Sequence, residues 1–442
     1  ATAAFAAATD EAALATFAKL ANLDPLTALQ GKQARLSQRR GGMGLRSLHE
    51  RRSAAWVGSW LTTLPRVRAS CPAGWAGKAL LTRNGPAWAV AGWAAALLDA
   101  CEDLAARGAH LDSDGEVCAD APDTPWAWED GFAPLRKKQG ELSKKLEDAG
   151  LRELLHSETL SGRARVRSCG GPGAGAWLSA IPADAGLSFD DEEFATAARF
   201  RLGQHLCLGG QQCGNAYVRD GPGHRAGDRC RGTLDAQGHH AATCLVGGRR
   251  KRTHDAMRDL YGDLLPGGGY AVLREQHVPG WDRQVRRANG QRVVERAILD
   301  LRLEAPPDAP VTYLDLVVAH PCAATYCHGA AAENGYAARQ AEAGKHSRYP
   351  PNPRVRGRLV PLAAETYGRL GKEGLRFLRK AAGRACTRTS ALAVLGGEGP
   401  PAVLGTWLER PSVALQKNNA AALKAAAGAA ATWRDLHAPG LE

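Results

Sequence analysis

Transmembrane-length apolar runs are missing from this chain: none approaches the ~20 residues needed to span a bilayer. Missing too is any internal repeat at a period of roughly 20 to 50 residues, which excludes a solenoid or propeller array. The opening, Ala1 to Ala8, has neither an initiator Met nor the charged-then-apolar plan of a secretion signal. It reads as the cut end of a longer open reading frame. A disulfide framework is also lacking, because the 11 cysteines are odd in number and unevenly spread. Cys71, Cys101, Cys118, Cys169, Cys322, Cys327 and Cys386 are scattered, whereas Cys207, Cys213, Cys230 and Cys244 crowd together with His205, His224, His239 and His240. That pattern fits a reduced compartment and one metal cluster, not a secreted protein.

What is present is length and positive charge. At 442 residues the chain suffices for two or three domains, and an apolar content of 44% permits real cores. The 51 glycines and 24 prolines imply long irregular connections. A formal charge of +12 and a pI near 9.3 fit a polyanionic partner. The first 70 residues read as helices joined by a basic turn around Gln38-Arg39-Arg40-Gly41-Gly42-Met43-Gly44-Leu45. Residues 71 to 200 carry little pattern, with Trp75, Trp88, Trp93, Trp126, Trp128 and Trp177 as anchors between loops and a break near Gly170 to Gly175. Helical spacing resumes over 187–203, with Asp190, Asp191, Glu192 and Glu193 at its favourable N-terminal end. The end of the chain is alanine-rich helix, Ala420 to Ala431, with no chemistry assignable to it.

The tightest ligand pattern is Cys230-x9-His240-x3-Cys244. Thiolates and a neutral imidazole suit tetrahedral zinc, and the x3 spacing lets two ligands reach one ion from a single turn. The upstream half has no clean Cys-x-x-Cys; Cys213 is the choice for the fourth ligand, with Cys207 and His224 as alternatives. Four protein ligands make such a zinc structural, since no position is left for substrate. A basic run, Arg249-Arg250-Lys251-Arg252, follows directly and leads into an amphipathic helix whose Met257, Leu260, Tyr261 and Leu264 share a face. A second basic set, Arg283, Arg286, Arg287, Arg292 and Arg296, lies downstream, and the two together resemble a phosphate-backbone footprint.

From residue 251 the pattern predicts helix (251–264), a Gly267-Gly268-Gly269 turn, and strands over 270–278, 293–303 and 311–318, the last two split by a turn at Pro306-Pro307-Asp308-Ala309-Pro310. A helix (about 330–348), a strand (357–364) and a helix (369–383) follow, so the core order is α-β-β-β-α-β. Alternation puts Asp300 on one strand and Asp315 on the next, positioned to converge at one sheet edge. Two buried carboxylates repel each other unless a cation joins them, and Mg²⁺ or Mn²⁺ is the cation this geometry suits. Lys345 stands on the next helix above the small Ala338 and Ala341, where it offsets charge on a phosphate; Glu275 adds a further carboxylate. The plain alternative makes Asp300 a strand-end salt bridge, Asp315 a polar residue near a turn and Lys345 a solvated cation.

These residues carry a family likeness. From Gly41 onward the chain resembles the C-terminal half of LINE-type (non-LTR) retrotransposon polyproteins that carry a restriction-like endonuclease. Gln33 to Ser47 resembles the thumb region after their reverse-transcriptase palm; Gly171-Pro172-Gly173-Ala174-Gly175-Ala176-Trp177-Leu178 and Ala198-Arg199-Phe200-Arg201-Leu202-Gly203 resemble the lead into their zinc knuckle. Cys230, Leu234-Asp235, Gly238-His239-His240-Ala241, Cys244 and Arg252-Thr253-His254-Asp255 continue it. Glu275-Gln276-His277-Val278-Pro279, Arg296-Ala297-Ile298-Leu299-Asp300, Asp315 and Lys345-His346-Ser347-Arg348-Tyr349-Pro350 resemble the endonuclease. The likeness spans most of residues 30 to 380. It implies an α+β chain: a helical N-terminal region, a zinc knuckle, then an α/β PD-(D/E)xK nuclease core.

The division implied is 1–70 thumb-like, 71–204 linker, 205–248 knuckle, 249–385 nuclease and 386–442 alanine-rich tail. It also implies Asp300, Asp315 and Lys345 as the catalytic set, target DNA and element RNA as partners met through Arg249, Arg250, Lys251, Arg252, Arg286, Arg287, Arg296 and Arg348, and a nuclear setting. Three departures stand out: Leu299 replaces the proline before the first aspartate, Val317 replaces the lysine that restriction enzymes of this fold keep, and no Tyr-x-Asp-Asp polymerase motif occurs. The chain is therefore expected to cut DNA but not to copy it. Two rivals accompany that expectation: a remnant that binds nucleic acid without cutting, and a host repair nuclease of the same fold, against which the thumb-like segment counts.

Overall fold

The computed structural model describes residues 2–69, 92–111, 117–118, 138–206, 209–221, 224–286, 290–304, 310–390 and 400–427. Backbone contacts divide the chain into two units, one of Ala1–Phe17, Ala34–Ser37 and Leu45–Ser157, the other of Ala18–Gln33, Gln38–Gly44 and Glu158–Glu442. Among the expected features, Trp75, Trp88, Trp126, Trp128, Cys207, Arg287 and the turn at 306–309 lie outside the described residues.

The N-terminal elements are helices α1 (Thr2–Leu20), α2 (Ala28–Arg35), α3 (Leu48–Ala69), α4 (Gly92–Ala106) and α5 (Lys138–Ser157), with a short strand pair β1 (His110–Leu111) and β2 (Val117–Cys118). Apolar residues at helical spacing make the core of the first unit: Ala54, Val57 and Leu61 of α3 meet Leu97 and Leu104 of α4 and Leu142 of α5. The start of α3 is capped twice. Its Glu50 amide donates to the Ser47 hydroxyl at 2.9 Å, and its Leu48 amide to the buried Asp10 carboxylate at 2.8 Å.

In the second unit the chain runs through α6 (Leu160–Cys169), α7 (Asp191–Leu202), α8 (His239–Thr243), α9 (Arg249–Leu264), β3 (Ala271–His277), β4 (Arg283–Arg286), β5 (Arg292–Glu295), β6 (Ile298–Glu304) and β7 (Thr312–Ala319). It continues through α10 (Cys327–Ala332), α11 (Tyr336–Arg348), β8 (Arg358–Glu365), α12 (Lys372–Ser390) and α13 (Pro400–Ala427). Helix α7 begins with a capping box between Asp190 and Glu193 and ends at Gly203, whose φ of +68° favours glycine. Its Arg201 is buried and donates to the carbonyls of Gly42 (3.0 Å), Ala174 (3.0 Å) and Cys169 (2.9 Å). One guanidinium thereby satisfies three backbone acceptors from two segments far apart in sequence.

A mixed sheet of order β3-β6-β7-β8 organises this unit, with β7 and β8 parallel and the other neighbours antiparallel. The chain is thus α+β, as its patterning implies. Register puts Leu301 and Leu303 of β6, Leu314 and Leu316 of β7, and Val360 and Leu362 of β8 in one apolar cluster with Met257 and Tyr261 of α9 and residues of α12 and α13. Trp407, Leu408 and Leu415 of α13 join it, so the alanine-rich helix covers core rather than trailing from it. On the other face Ala337, Ala338 and Ala341 of α11 pack on Val317, Ala319 and Ala363. Such small side chains bring a helix close to the strands.

Two expected elements are divided. The strand predicted over 293–303 is two strands in different sheets, because the Ala297 peptide leaves the ladder: its N–H donates to the Asp282 carboxylate at 2.8 Å and its C=O accepts from Val278 at 2.8 Å. The upstream piece, β5, pairs instead with β4. The helix predicted over 330–348 breaks at Gly335, whose φ of +73° starts α11 afresh.

Candidate active site and metal centre

An irregular antiparallel ribbon builds the cysteine-histidine group. The Cys213 amide donates to Gly232 C=O at 2.9 Å and the Cys230 amide to Asn215 C=O at 2.8 Å, so these two cysteines face each other across the ribbon. Asp235 then accepts the amides of His239 (2.8 Å) and His240 (2.7 Å), which fixes the first turn of α8 and aims His240 and Cys244 at the same point. Sulfur separations are 3.9 Å for Cys213–Cys244 and 3.7 Å for Cys244–Cys230, and His240 Nε2 lies 3.6 Å from Cys230 Sγ. These are far beyond a disulfide bond of ~2.05 Å. They match the edges of a tetrahedron, which come to ~3.8 Å when each sulfur is ~2.3 Å from a central zinc. Burial pushes the Cys213 thiol up to about 12, and Cys244 and Cys230 add to the rise. A bound cation reverses that balance by favouring the thiolates. The group therefore fits a metal ion, with Cys213 as the fourth member. His224 lies apart, stacked on the Tyr217 ring at 3.7 Å.

The carboxylates meet where two central strands part. The β6–β7 pairing stops at Leu301 opposite Leu314, and beyond it the Leu316 amide donates at 2.6 Å to the side chain of Asp300 instead of to a backbone carbonyl. Asp300 and Asp315 follow the last pair on the two strands, 8% and 4% exposed, in the middle of the sheet rather than on an edge strand. Burial pushes the Asp315 carboxyl up to about 6; Lys345 opposes this and Asp300 reinforces it. Burial acts on Asp300 too, but the hydrogen bond and charge of His254, with the Leu316 amide, outweigh it and hold that carboxyl below its usual value. The pair is close enough to share one proton, and a divalent cation suits the same position.

Lys345 completes the group: its Nζ lies 2.6 Å from Asp315 Oδ2, carried there by the close seat of α11 on the sheet. Glu275 stands across from Asp300 at the position the β3–β6 register skips, between Arg274 opposite Leu301 and Gln276 opposite Leu299. Its φ of +51° is a strained value for a non-glycine residue, and its exposed carboxylate is paired with Arg258 of α9. Sequence reasoning passed over His254. One turn before Arg258 on α9, its Nε2 lies 3.1 Å from Asp300 Oδ2, and that bond raises the imidazole pKa. The available signal was a histidine adjoining the helix's buried stripe.

No protein-family model matches the chain, and no curated protein matches it.

A cavity of about 600 Å³ adjoins the group, its lining including Arg249, Arg250, Lys251, His254, Lys345 and His320. The first basic run thus lies beside the carboxylates at the start of α9. Arg250 is exposed; Lys251 pairs with Asp255 at 2.7 Å, and Arg252 donates to Gly247 C=O at 3.1 Å. The other arginines expected to meet nucleic acid differ among themselves. Arg286 and Arg296 are exposed, with Arg296 against His277 Nδ1 at 3.0 Å, whereas half-buried Arg348 donates to Trp281 C=O at 3.0 Å and lies over the Tyr349 ring.

Proposed function

We propose that this chain carries a metal-dependent DNA endonuclease with a PD-(D/E)xK-type αβββαβ core and a structural zinc knuckle, from the polyprotein of a reverse-transcribing element. The observation that carries this reading is the buried Asp300–Asp315 pair on the two central strands with the Lys345 ammonium 2.6 Å from Asp315. The succession α9, β3, β6, β7, α11, β8 supports it, as does the cluster of Arg249, Arg250 and Lys251 along the adjoining cavity.

Asp300 and Asp315 would hold Mg²⁺ or Mn²⁺, and Glu275 lies on the strand next to that of Asp300. Such an ion supplies Lewis acidity to a scissile phosphate and lowers the pKa of water. The chain's own residues do the rest. His254 and the Leu316 amide hold the Asp300 carboxylate ionised and in one orientation. Lys345, beside Asp315, would offset the charge that gathers on the phosphate oxygens. Arg249 and Arg250 hold the backbone on either side by charge. Zinc on Cys213, Cys230, His240 and Cys244 would lock the ribbon to α8. The product would be a nick ending in a 3′-hydroxyl, in a nuclear setting with target DNA and element RNA as partners.

The test is nicking of supercoiled plasmid with Mg²⁺ or Mn²⁺ beside Asp300→Ala and Lys345→Ala. Cutting by the wild type alone, with DNA affinity in the variants within a few fold, is the expected result. Full activity in either variant overturns the site assignment. DNA binding without any cutting replaces the reading with a non-catalytic binder.

A further inference from the structure

We propose that His239, His320 and Cys322 form a second zinc-type metal site, which fastens the end of β7 to α8 beside the first group. Helix α8 presents His239 and His240 in succession, and neighbours on a helix point ~100° apart. With His240 committed to the three cysteines, His239 is directed elsewhere. It meets His320, which directly follows β7: His320 Nε2 and His239 Nδ1 are 3.2 Å apart. The ligand atoms of His239, His320 and Cys322 all lie within 4.8 Å of one another. Two imidazoles on one tetrahedral zinc, each ~2.05 Å from it, are separated by ~3.3 Å, close to the distance seen.

The surroundings fix the group without satisfying it. His320 is 5% exposed and lies parallel to the Phe200 ring at 6.4 Å, with Tyr367 on the same cluster. A single N–H···N bond between the two imidazoles uses one nitrogen of His320 and leaves its buried Nδ1 with no partner among the described residues. A cation bound through His320 Nε2, His239 Nδ1 and the Cys322 sulfur would take both facing lone pairs in place of that single bond, with the proton of His320 held on Nδ1. Cys322 is half-buried, its thiol donating to the Ser161 carbonyl at 3.4 Å. Asp235, by accepting the His239 and His240 amides, positions ligands for both groups at once. Three protein ligands leave a tetrahedral ion one further position. His320 lines the cavity that also holds His254 and Lys345, from which water can reach that position.

Metal content of the full chain tests this independently of any nuclease activity. Protein produced in zinc-replete medium and exchanged into metal-free buffer is expected to retain two zinc per chain by mass spectrometry. Cys322→Ser and His320→Gln should each retain one. Cobalt titration of the stripped protein separates the two groups, since three thiolates give a far stronger sulfur-to-metal absorption than one. Cys322→Ser should keep the strong band and lose the second equivalence point. A single equivalence point in the wild type with the strong band present, or two zinc remaining in both variants, overturns the second site. Loss of the strong band alone would instead remove the first group and leave this one standing.

Discussion

Asp315 sits 4% exposed, with its carboxyl raised to about 6 by burial and by Asp300 against the pull of Lys345. Its proton is held more tightly in the folded chain than in the unfolded one, where an aspartate titrates near ~3.9. The stabilising contribution of that proton is therefore fully present below pH ~4 and is lost as pH rises to about 6. On metal-free protein the loss is on the order of 3 kcal/mol. Other carboxylates, Asp300 among them, titrate in the opposite sense, so the difference between wild type and Asp315→Asn is the quantity to follow by urea unfolding. It should shift in favour of the variant between pH 4 and 6. A pH-independent difference would show that Asp315 does not hold a raised proton.

Strand β6 and helix α11 carry the constraint at the next scale. Leu299, Leu301 and Leu303 are fully buried on one face of β6, so Asp300 between them is locked to the other face; a slip of one residue would bury it in the apolar cluster. Leu301→Ala should cost about 2–5 kcal/mol, read as a lowered unfolding midpoint. Helix α11 makes the complementary case. Ala338 is wholly buried against the sheet, and its size sets how near Lys345 comes to Asp315. Ala338→Leu should cost ~1–3 kcal/mol in overpacking and lower nicking by as much as ~100-fold through displacement of Lys345, with DNA affinity retained. Unchanged nicking in a folded Ala338→Leu protein would separate Lys345 from the chemistry.

Over the whole molecule the net charge of +12 points to a polyanion, and no described helix is long and apolar enough to cross a membrane. DNA affinity should fall linearly on a log–log plot against salt, with a slope of about −0.9 per phosphate contacted. The arginines will not contribute alike. Exposed Arg250, on the cavity wall, should reduce the slope by about 1 when changed to Ala. Arg348→Ala should leave the slope unchanged and lower stability, since its guanidinium already serves Trp281 and Tyr349. Equal slope changes in both variants would contradict this division.

Period-2 alternation in 298–304 and 312–319, and helical spacing in 249–264, were legible in the sequence because each side chain's face follows from local backbone geometry alone. So were the candidates Asp300, Asp315 and Lys345, as polar residues at positions that apolar neighbours would bury. Cys213 was the choice for the fourth ligand, but Cys207 and His224 stayed open beside it, since its approach to Cys230 depends on a ribbon whose pairing has no strong local pattern. The break at Arg296–Ala297 was hidden because Asp282, a distant acceptor, takes the Ala297 amide out of the ladder. His254 is 46 residues from Asp300, and His320 is 81 from His239. Those contacts have no periodicity to betray them. The sequence by itself determined which faces each element must bury, through hydrophobicity repeated at the period of helix or strand. Only the tertiary structure decided which polar groups meet, because that follows from strand order, register and the seating of α8, α9 and α11 on the sheet.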